Sequence, residues 1–361
     1  MQKRHIFILS TLLMTTTVYG QEEVKVLSQS DIEAIKSQLP LEAEQAYNNG
    51  VNAYKANDYQ GAIQYYSQAI NAYENFEAAY FNRGISYLAT KDNQKAEADF
   101  DKVLTINANH HGALYEKAII AASNNDLERS NELLSKAIEL QNNEVKYLYK
   151  RSLNLFQLKK YDEAIVDLSA IIKIDPNHAF AFNDRGSAYK EIGKIDDAIA
   201  DYKKATSLNK GLKLAHNNLG TAYRKKGQYD LAIGAYNAAI ALDKNFHLAY
   251  NNRGYAKFEK KDYAGALADF DEVIKLNANY APAYNNKASV YLKQEKYDEA
   301  VKACQKAIQI NPDFGMAYYN MGIAYEMLRE DKKACESWSK AAELEIEAAS
   351  SYYSNNECAN F

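Results

Sequence analysis

Apolar residues along this chain recur at intervals of three and four, in two short runs per 34 residues, with a break in the pattern after each run. Such spacing gathers apolar side chains on one face of a helix, so each window of 34 predicts two amphipathic helices joined by a turn. Nine windows follow one another from Ala43 to Ala348 without insertion or deletion. The first break carries turn formers, as in Gly193-Lys194-Ile195 and Gly227-Gln228-Tyr229, and Asp196 and Asp230 are expected to cap the helices that follow. The second falls at the window's end, as in Asp175-Pro176-Asn177 and Asn311-Pro312-Asp313, where proline cannot continue a helix.

Two columns admit only small residues. Position eight reads Gly50, Gly84, Ala118, Ser152, Gly186, Gly220, Gly254, Ala288 and Gly322; position twenty reads Ala62, Ala96, Ser130, Ala164, Ala198, Ala232, Ala266, Ala300 and Ala334. Close approach of two backbones explains such a restriction. Large rings recur at position four (Tyr80, Phe182, Tyr250), eleven (Tyr87, Tyr189, Tyr223) and twenty-four (Tyr66, Phe100, Tyr202, Tyr236, Phe270, Trp338), where they fill the space around the small residues.

This spacing, with Ala at position twenty-seven (Ala69, Ala137, Ala205, Ala239, Ala307, Ala341), resembles the tetratricopeptide repeat family. The resemblance implies an all-α fold, a right-handed α-solenoid of nine 34-residue helix-turn-helix repeats over residues 43–348. It departs from the family pattern where Val103, Ile171 and Val273 replace alanine. Repeat three departs most, with Ala118, Ala121, Leu127 and Ser130 in the patterned columns. Its missing aromatics leave less buried area, so the array is expected to open there first.

Outside the repeats, Lys3, Arg4 and His5 precede a largely apolar stretch from Ile6 to Met14, the layout of an export signal cleaved after Gly20. The stretch is shorter than the ~20 residues a spanning helix needs, so no membrane span is expected once the signal is removed. Residues 21–42 read as a polar lead-in and 349–361 as a cap whose aromatics cover the end of the stack. The chain is therefore expected to be exported, periplasmic or secreted.

The formal charge of −4 does not favour nucleic acid. A basic middle around Lys213, Arg224, Lys225, Lys226 and Lys244 would suit an acidic partner if it is more than a solvated face. Cys304, Cys335 and Cys358 show no metal-site spacing; buried free thiols are expected, with a Cys304 to Cys335 bridge the alternative. His110 and His111 read as solvated loop residues and His216 as a packed core side chain. No phosphate-cradling loop or catalytic motif appears, so no catalytic residue, cofactor or metal is expected and the chain reads as a non-enzyme.

In the family, positions two, five, six, nine, twelve and thirteen of the first helix face a concave groove, and the resemblance carries those columns onto this chain. Position five reads Tyr47, Phe81, Tyr115 and Tyr149, then Asn183, Asn217, Asn251 and Asn285. Position six ends in Asn218, Asn252, Asn286 and Asn320. An amide offers a donor and an acceptor to a peptide backbone whatever its sequence, so the asparagines are the candidate peptide site. The four early rings form a candidate aromatic groove for apolar side chains or sugars. The leading expectation is a scaffold binding an extended peptide or partner segment. The alternatives are a module handling envelope polysaccharide and a recruiter that regulates an enzyme. The carboxylate clamp of the family, Lys at position five with Asn at nine, is absent from both columns.

Overall fold

The computed structural model describes residues 39–355 and Cys358. The expected export signal over residues 1–20, and the lead-in as far as residue 38, lie outside the described residues. Nineteen α-helices are described, in two compact units divided between Asn177 and His178. The first unit holds α1 (Leu41–Lys55), α2 (Tyr59–Ala72), α3 (Glu77–Ala89), α4 (Asn93–Ile106), α5 (His111–Ser123), α6 (Leu127–Leu140), α7 (Val145–Gln157) and α8 (Tyr161–Ile174). The second holds α9 (Ala179–Glu191), α10 (Ile195–Leu208), α11 (Lys213–Lys225), α12 (Tyr229–Leu242), α13 (His247–Glu259), α14 (Tyr263–Leu276), α15 (Ala281–Lys293), α16 (Tyr297–Ile310), α17 (Gly315–Met327), α18 (Asp331–Glu343) and α19 (Glu347–Asn355).

Local chemistry sets the turns. Within every repeat the chain reverses through one left-handed residue at the same place: Asn57, Lys91, Asn125, Lys159, Gly193, Gly227, Lys261, Glu295 and Arg329, at φ from +59° to +81°. Only two of the nine are glycine, so the other seven carry a steric cost that the packing of the pair overcomes. Asp58, Asp92, Asp126 and Asp262 cap the second helices by accepting from Gly61, Lys95, Arg129 and Gly265 backbone N–H groups at 2.9 to 3.2 Å. Asp196 and Asp230 do not cap. Their helices start one residue earlier, at Ile195 and Tyr229, and the two carboxylates lie in the first turn paired with Lys226 and Lys260, each at 2.5 Å.

Pairing within a repeat rests on a fit between positions eight and twenty-four. A Cβ added to Gly220 would stand 2.6 Å from the Tyr236 ring; at Gly50, Gly84 and Gly254 it would meet Tyr66, Phe100 and Phe270 at 2.6 to 2.8 Å, and at Gly322 it would run into the Trp338 ring. Where position eight carries a larger residue, position twenty-four carries no ring: Ala118 packs with Leu134, Ser152 is accompanied by Leu168, and Ala288 packs with Cys304. Every ring at position twenty-four is fully buried, and burying one contributes about 2–3 kcal/mol.

A second set of contacts, between residues sixteen apart, staples the pairs. Arg83, Arg151, Arg185 and Arg253 donate bidentately to Asp99, Asp167, Asp201 and Asp269 at 2.5 to 2.9 Å. Arg83, Arg151 and Arg253 also reach Ser67, Ser135 and Asn237 on the second helix of the preceding repeat. One guanidinium thus ties three helices together.

Repeat three compensates for its lost rings with polar contacts. Asn154 donates to Ser130 Oγ at 2.8 Å and Asn131 Oδ1 at 3.0 Å, and buried Lys117 pairs with Asp101 and Glu97. Two expectations for histidine are corrected. His110 is a capping residue whose Nδ1 accepts from Ala113 N–H at 3.0 Å, and His111, exposed as expected, opens the helix instead of lying in a loop and bonds the Tyr147 hydroxyl at 2.7 Å. His216 is only half-buried and contacts the Lys210 carbonyl rather than the core.

At the C-terminus, α19 begins two residues before the 34-residue period would place it, after a left-handed Glu345. Its Tyr352 packs on Trp338 and Tyr319, ring centroids 5.1 and 5.6 Å apart. Cys358 is joined to Cys335 with Cα atoms 5.3 Å apart, while Cys304 is free and buried. The expectation of free thiols therefore holds for Cys304 alone, and Cys335 pairs with the tail instead of with Cys304. Because the tail leaves the repeat register, column arithmetic could not bring Cys358 to Cys335.

Candidate functional site

The first helices of neighbouring repeats touch throughout the second unit, α9 with α11, α11 with α13, α13 with α15 and α15 with α17, and in the first unit α1 touches α3. Among the described residues no comparable contact joins successive second helices, so the second stack is tighter along the side that its first helices line. That side carries the candidate columns.

In the second unit the asparagines of positions five and six bond one another across repeats. Asn218 Nδ2 donates to Asn183 Oδ1 at 3.1 Å, Asn252 to Asn217 at 3.0 Å, Asn286 to Asn251 at 3.0 Å and Asn320 to Asn285 at 2.9 Å. Each amide at position six thus reaches back 35 residues to the amide at position five. The register is a direct result of the 34-residue period plus one step along the helix. Asn183, Asn217, Asn285 and Asn320 are buried and the other four asparagines are half-buried. Each amide at position six has two N–H groups and one carbonyl, and the bond described uses one N–H. Among the described residues, the carbonyl oxygens of Asn218, Asn252 and Asn286 take no hydrogen bond. At position nine Ser187, Thr221 and Ser289 turn their hydroxyls back to the Asn183, Asn217 and Asn285 backbone carbonyls, leaving low ground beside the amides.

Next to the amides runs an apolar rail that the column reading missed. Position two of the five repeats is Phe180, Leu214, Leu248, Pro282 and Met316, all half-buried except the more exposed Met316. In the first unit the same position is Glu44, Ala78, Gly112 and Lys146. The signal was present in the sequence, as five apolar residues in a column assigned to the open groove. On the far side of the amides, Arg224 lies over the Tyr255 ring at 4.7 Å. Lys225 and Lys293 are exposed there, while Lys213 is paired with Asp243 at 2.6 Å and Lys226 with Asp196. The basic middle is thus partly neutralised within the protein.

The early rings separate into two kinds. Tyr47 is 3% and Phe81 6% exposed; Tyr47 packs on Tyr66 and Phe76 and accepts from Asn82 Nδ2 at 2.9 Å, and Phe81 packs on Phe100 and His110. Both are core side chains with no ring face open to a ligand, which corrects their assignment to an aromatic groove. Tyr115 and Tyr149 are half-buried, and Lys146 lies over the Tyr115 ring at 5.0 Å. Asn82 in the first unit makes the same contact over 35 residues, there to a tyrosine hydroxyl.

Among the described residues no group of three or more His, Cys, Asp or Glu side chains is placed to hold a metal ion, and no helix is long and apolar enough to cross a membrane.

A stack of helix pairs with a small residue at each crossing and one open face is a repeat scaffold. Family models agree: those described as tetratricopeptide repeat match residues 47–111, 145–178, 247–280, 281–314 and 303–336, and one described as TPR repeat matches 186–226 and 220–261. The chain belongs to the tetratricopeptide repeat family. No curated protein matches it. Among solved structures it is similar to a tetratricopeptide repeat protein from Parabacteroides merdae, at 17% identity and TM-score 0.55, covering 69% of this chain and 98% of that one. It is also similar to the C-terminal part of a TPR repeat-containing protein from Cytophaga hutchinsonii, at 21% identity and TM-score 0.51, covering 65% and 97%. A third likeness is to the APC/C hetero-tetramer Cut9-Hcn1, at 16% identity and TM-score 0.53, covering 91% and 80%. These likenesses bear on the fold. The repeats make this chain a scaffold for protein–protein interaction, of a family and fold that are generally non-catalytic.

Proposed function

We propose that the protein is an exported scaffold whose second unit holds an extended segment of a partner protein along the first-helix face. The observation that carries this reading is the double row on that face: amides with unbonded carbonyl oxygens at Asn218, Asn252 and Asn286, beside the rail of Phe180, Leu214, Leu248, Pro282 and Met316. Amides satisfy a peptide backbone without regard to sequence, and the rail takes apolar side chains that project from one edge of it. Export is supported by the Cys335–Cys358 bridge, since such bonds persist in oxidising compartments, and by the basic and apolar start of the chain.

The polysaccharide reading rested on rings at position five, and burial of Tyr47 and Phe81 halves that set. The two readings separate in one experiment. Partners captured from the native envelope fraction are compared for wild type, Leu248→Glu with Pro282→Glu, and Tyr115→Ala with Tyr149→Ala. Loss of the captured protein in the rail variant, with helicity unchanged, supports a peptide groove. Loss of a glycan in the tyrosine variant with the rail variant unaffected would replace it. Replacing Asn218, Asn252 and Asn286 with Ala removes both the ligand contacts and the bonds between repeats, so affinity is compared with thermal stability in that variant.

A further inference from the structure

The disulfide of the last repeat closes a loop spanning 23 residues that contains α19. In this loop Ala349 is fully buried and Tyr352 covers Trp338 and Tyr319. α19 takes the place against the last repeat that the next first helix takes elsewhere in the stack, and the bridge ties it there. Cys335 and Cys358 line a shallow surface hollow together with Lys332, Glu336, Lys340 and Glu343. Cys335 is the fifth residue of α18, and Lys332 precedes it by one turn on the same side of the helix. A thiolate at Cys335 therefore gains from Lys332, a cation that lines the same hollow.

We propose that this bridge is a thiol-exchange site through which a dithiol reductant releases α19 from the last repeat. One thiolate of the reductant attacks Cys358 Sγ and forms a mixed disulfide. The Cys335–Cys358 bond breaks, and its electron pair leaves on Cys335 Sγ, where Lys332 steadies the charge. The second thiol of the reductant then attacks the mixed disulfide, and Cys358 departs as a thiolate. Two electrons and two protons pass from the dithiol to the cysteine pair, and the dithiol ends as its own disulfide. Without the tie, opening of α19 regains the entropy of the closed loop and becomes more frequent by on the order of a hundredfold. Opening uncovers Trp338 and Tyr319 at the apolar end of the stack.

The test uses the full oxidised chain in native buffer, with dithiothreitol as the reductant. Two cysteines are expected to become open to alkylation while Cys304 does not. Emission of Trp338, the sole tryptophan, is expected to shift as Tyr352 departs. Amide exchange in α19 should rise by on the order of a hundredfold with α9 to α14 unchanged, and oxidised dithiothreitol should reverse every change. Cys358→Ser should show the opened state with no reductant present. Lys332→Glu should slow the opening several-fold at unchanged helicity, a rate effect that a merely structural lysine would not produce. The proposal fails if the bridge resists dithiothreitol until the chain is unfolded. It also fails if reduction, or Cys358→Ser, leaves α19 exchange and Trp338 emission as in the oxidised wild type.

Discussion

Gly220→Ala tests the packing on which each repeat depends. The added Cβ would stand 2.6, 2.7 and 2.9 Å from Cε1, Cδ1 and Cζ of Tyr236. Carbon atoms rest at about 3.5–4.0 Å, so the ring must retreat by close to 1 Å. It has no room: Tyr236 is fully buried and its hydroxyl donates to Thr221 Oγ1 at 3.2 Å. Overpacking of this kind costs about 1–3 kcal/mol, and contact with three ring atoms places this case at the upper end. Alanine returns about 1 kcal/mol through its better helix propensity, leaving a net loss of about 1–2 kcal/mol. Tyr236→Leu alone should cost about 2–3 kcal/mol, because it leaves a hollow over Gly220.

The double variant reproduces the Ala118 and Leu134 pair that repeat three already uses. Its loss should fall short of the sum of the two single losses by about 2 kcal/mol. Because repeat arrays unfold piecewise, the urea midpoint of the full chain is read together with amide exchange in α11 and α12. Additivity within about 0.5 kcal/mol would show that positions eight and twenty-four do not constrain each other, and the account of the fold would fail with them.

Four further outcomes follow from the same structure. Lys91→Gly and Lys159→Gly, at left-handed residues, should each stabilise by about 0.5–1 kcal/mol in urea melts, and Gly193→Ala should destabilise by a similar amount; the opposite signs would mean that the turns are unstrained. Asp269→Ala should cost about 2 kcal/mol, since Arg253 and Lys257 lose their shared carboxylate, and a variant as stable as wild type would make the staple ornamental. Burial pushes the Cys304 thiol up to about 12, so it should resist alkylation at pH 8 in the folded chain and react on unfolding; rapid native labelling contradicts this. Amides of α5 and α6 should exchange before those of α11 to α16, and equal protection would show that the polar contacts of Asn154 and Lys117 fully replace the missing rings.

What could be seen in the sequence depended on whether a property was carried by a column or by a relation between columns. The period, the two helices per window and the small residues at positions eight and twenty were legible because each is a repeated local constraint. The fit of Gly220 to Tyr236, or of Ala118 to Leu134, was present as well, but it links residues sixteen apart on crossing helices and shows only when two columns are compared row by row. Arg253 and Asp269 share that separation and are hidden in the columns for the same reason. The amides posed a harder case. The position-six column suggested donors waiting for a ligand, yet Asn252 donates to Asn217 in the preceding repeat. That bond depends on the direction of two side chains on adjacent helices, which no column records. It also changes what the ladder does. An amide bonded to its neighbour holds its free carbonyl in one orientation, so the bonds between repeats that steady the stack also aim the row of acceptors at whatever lies along it. Under the proposed function, stability and recognition then share the same atoms. Loss of any one asparagine should loosen its repeat interface and misalign the acceptor next to it, which is why the rail, whose side chains make no such bonds, is the cleaner place to test binding.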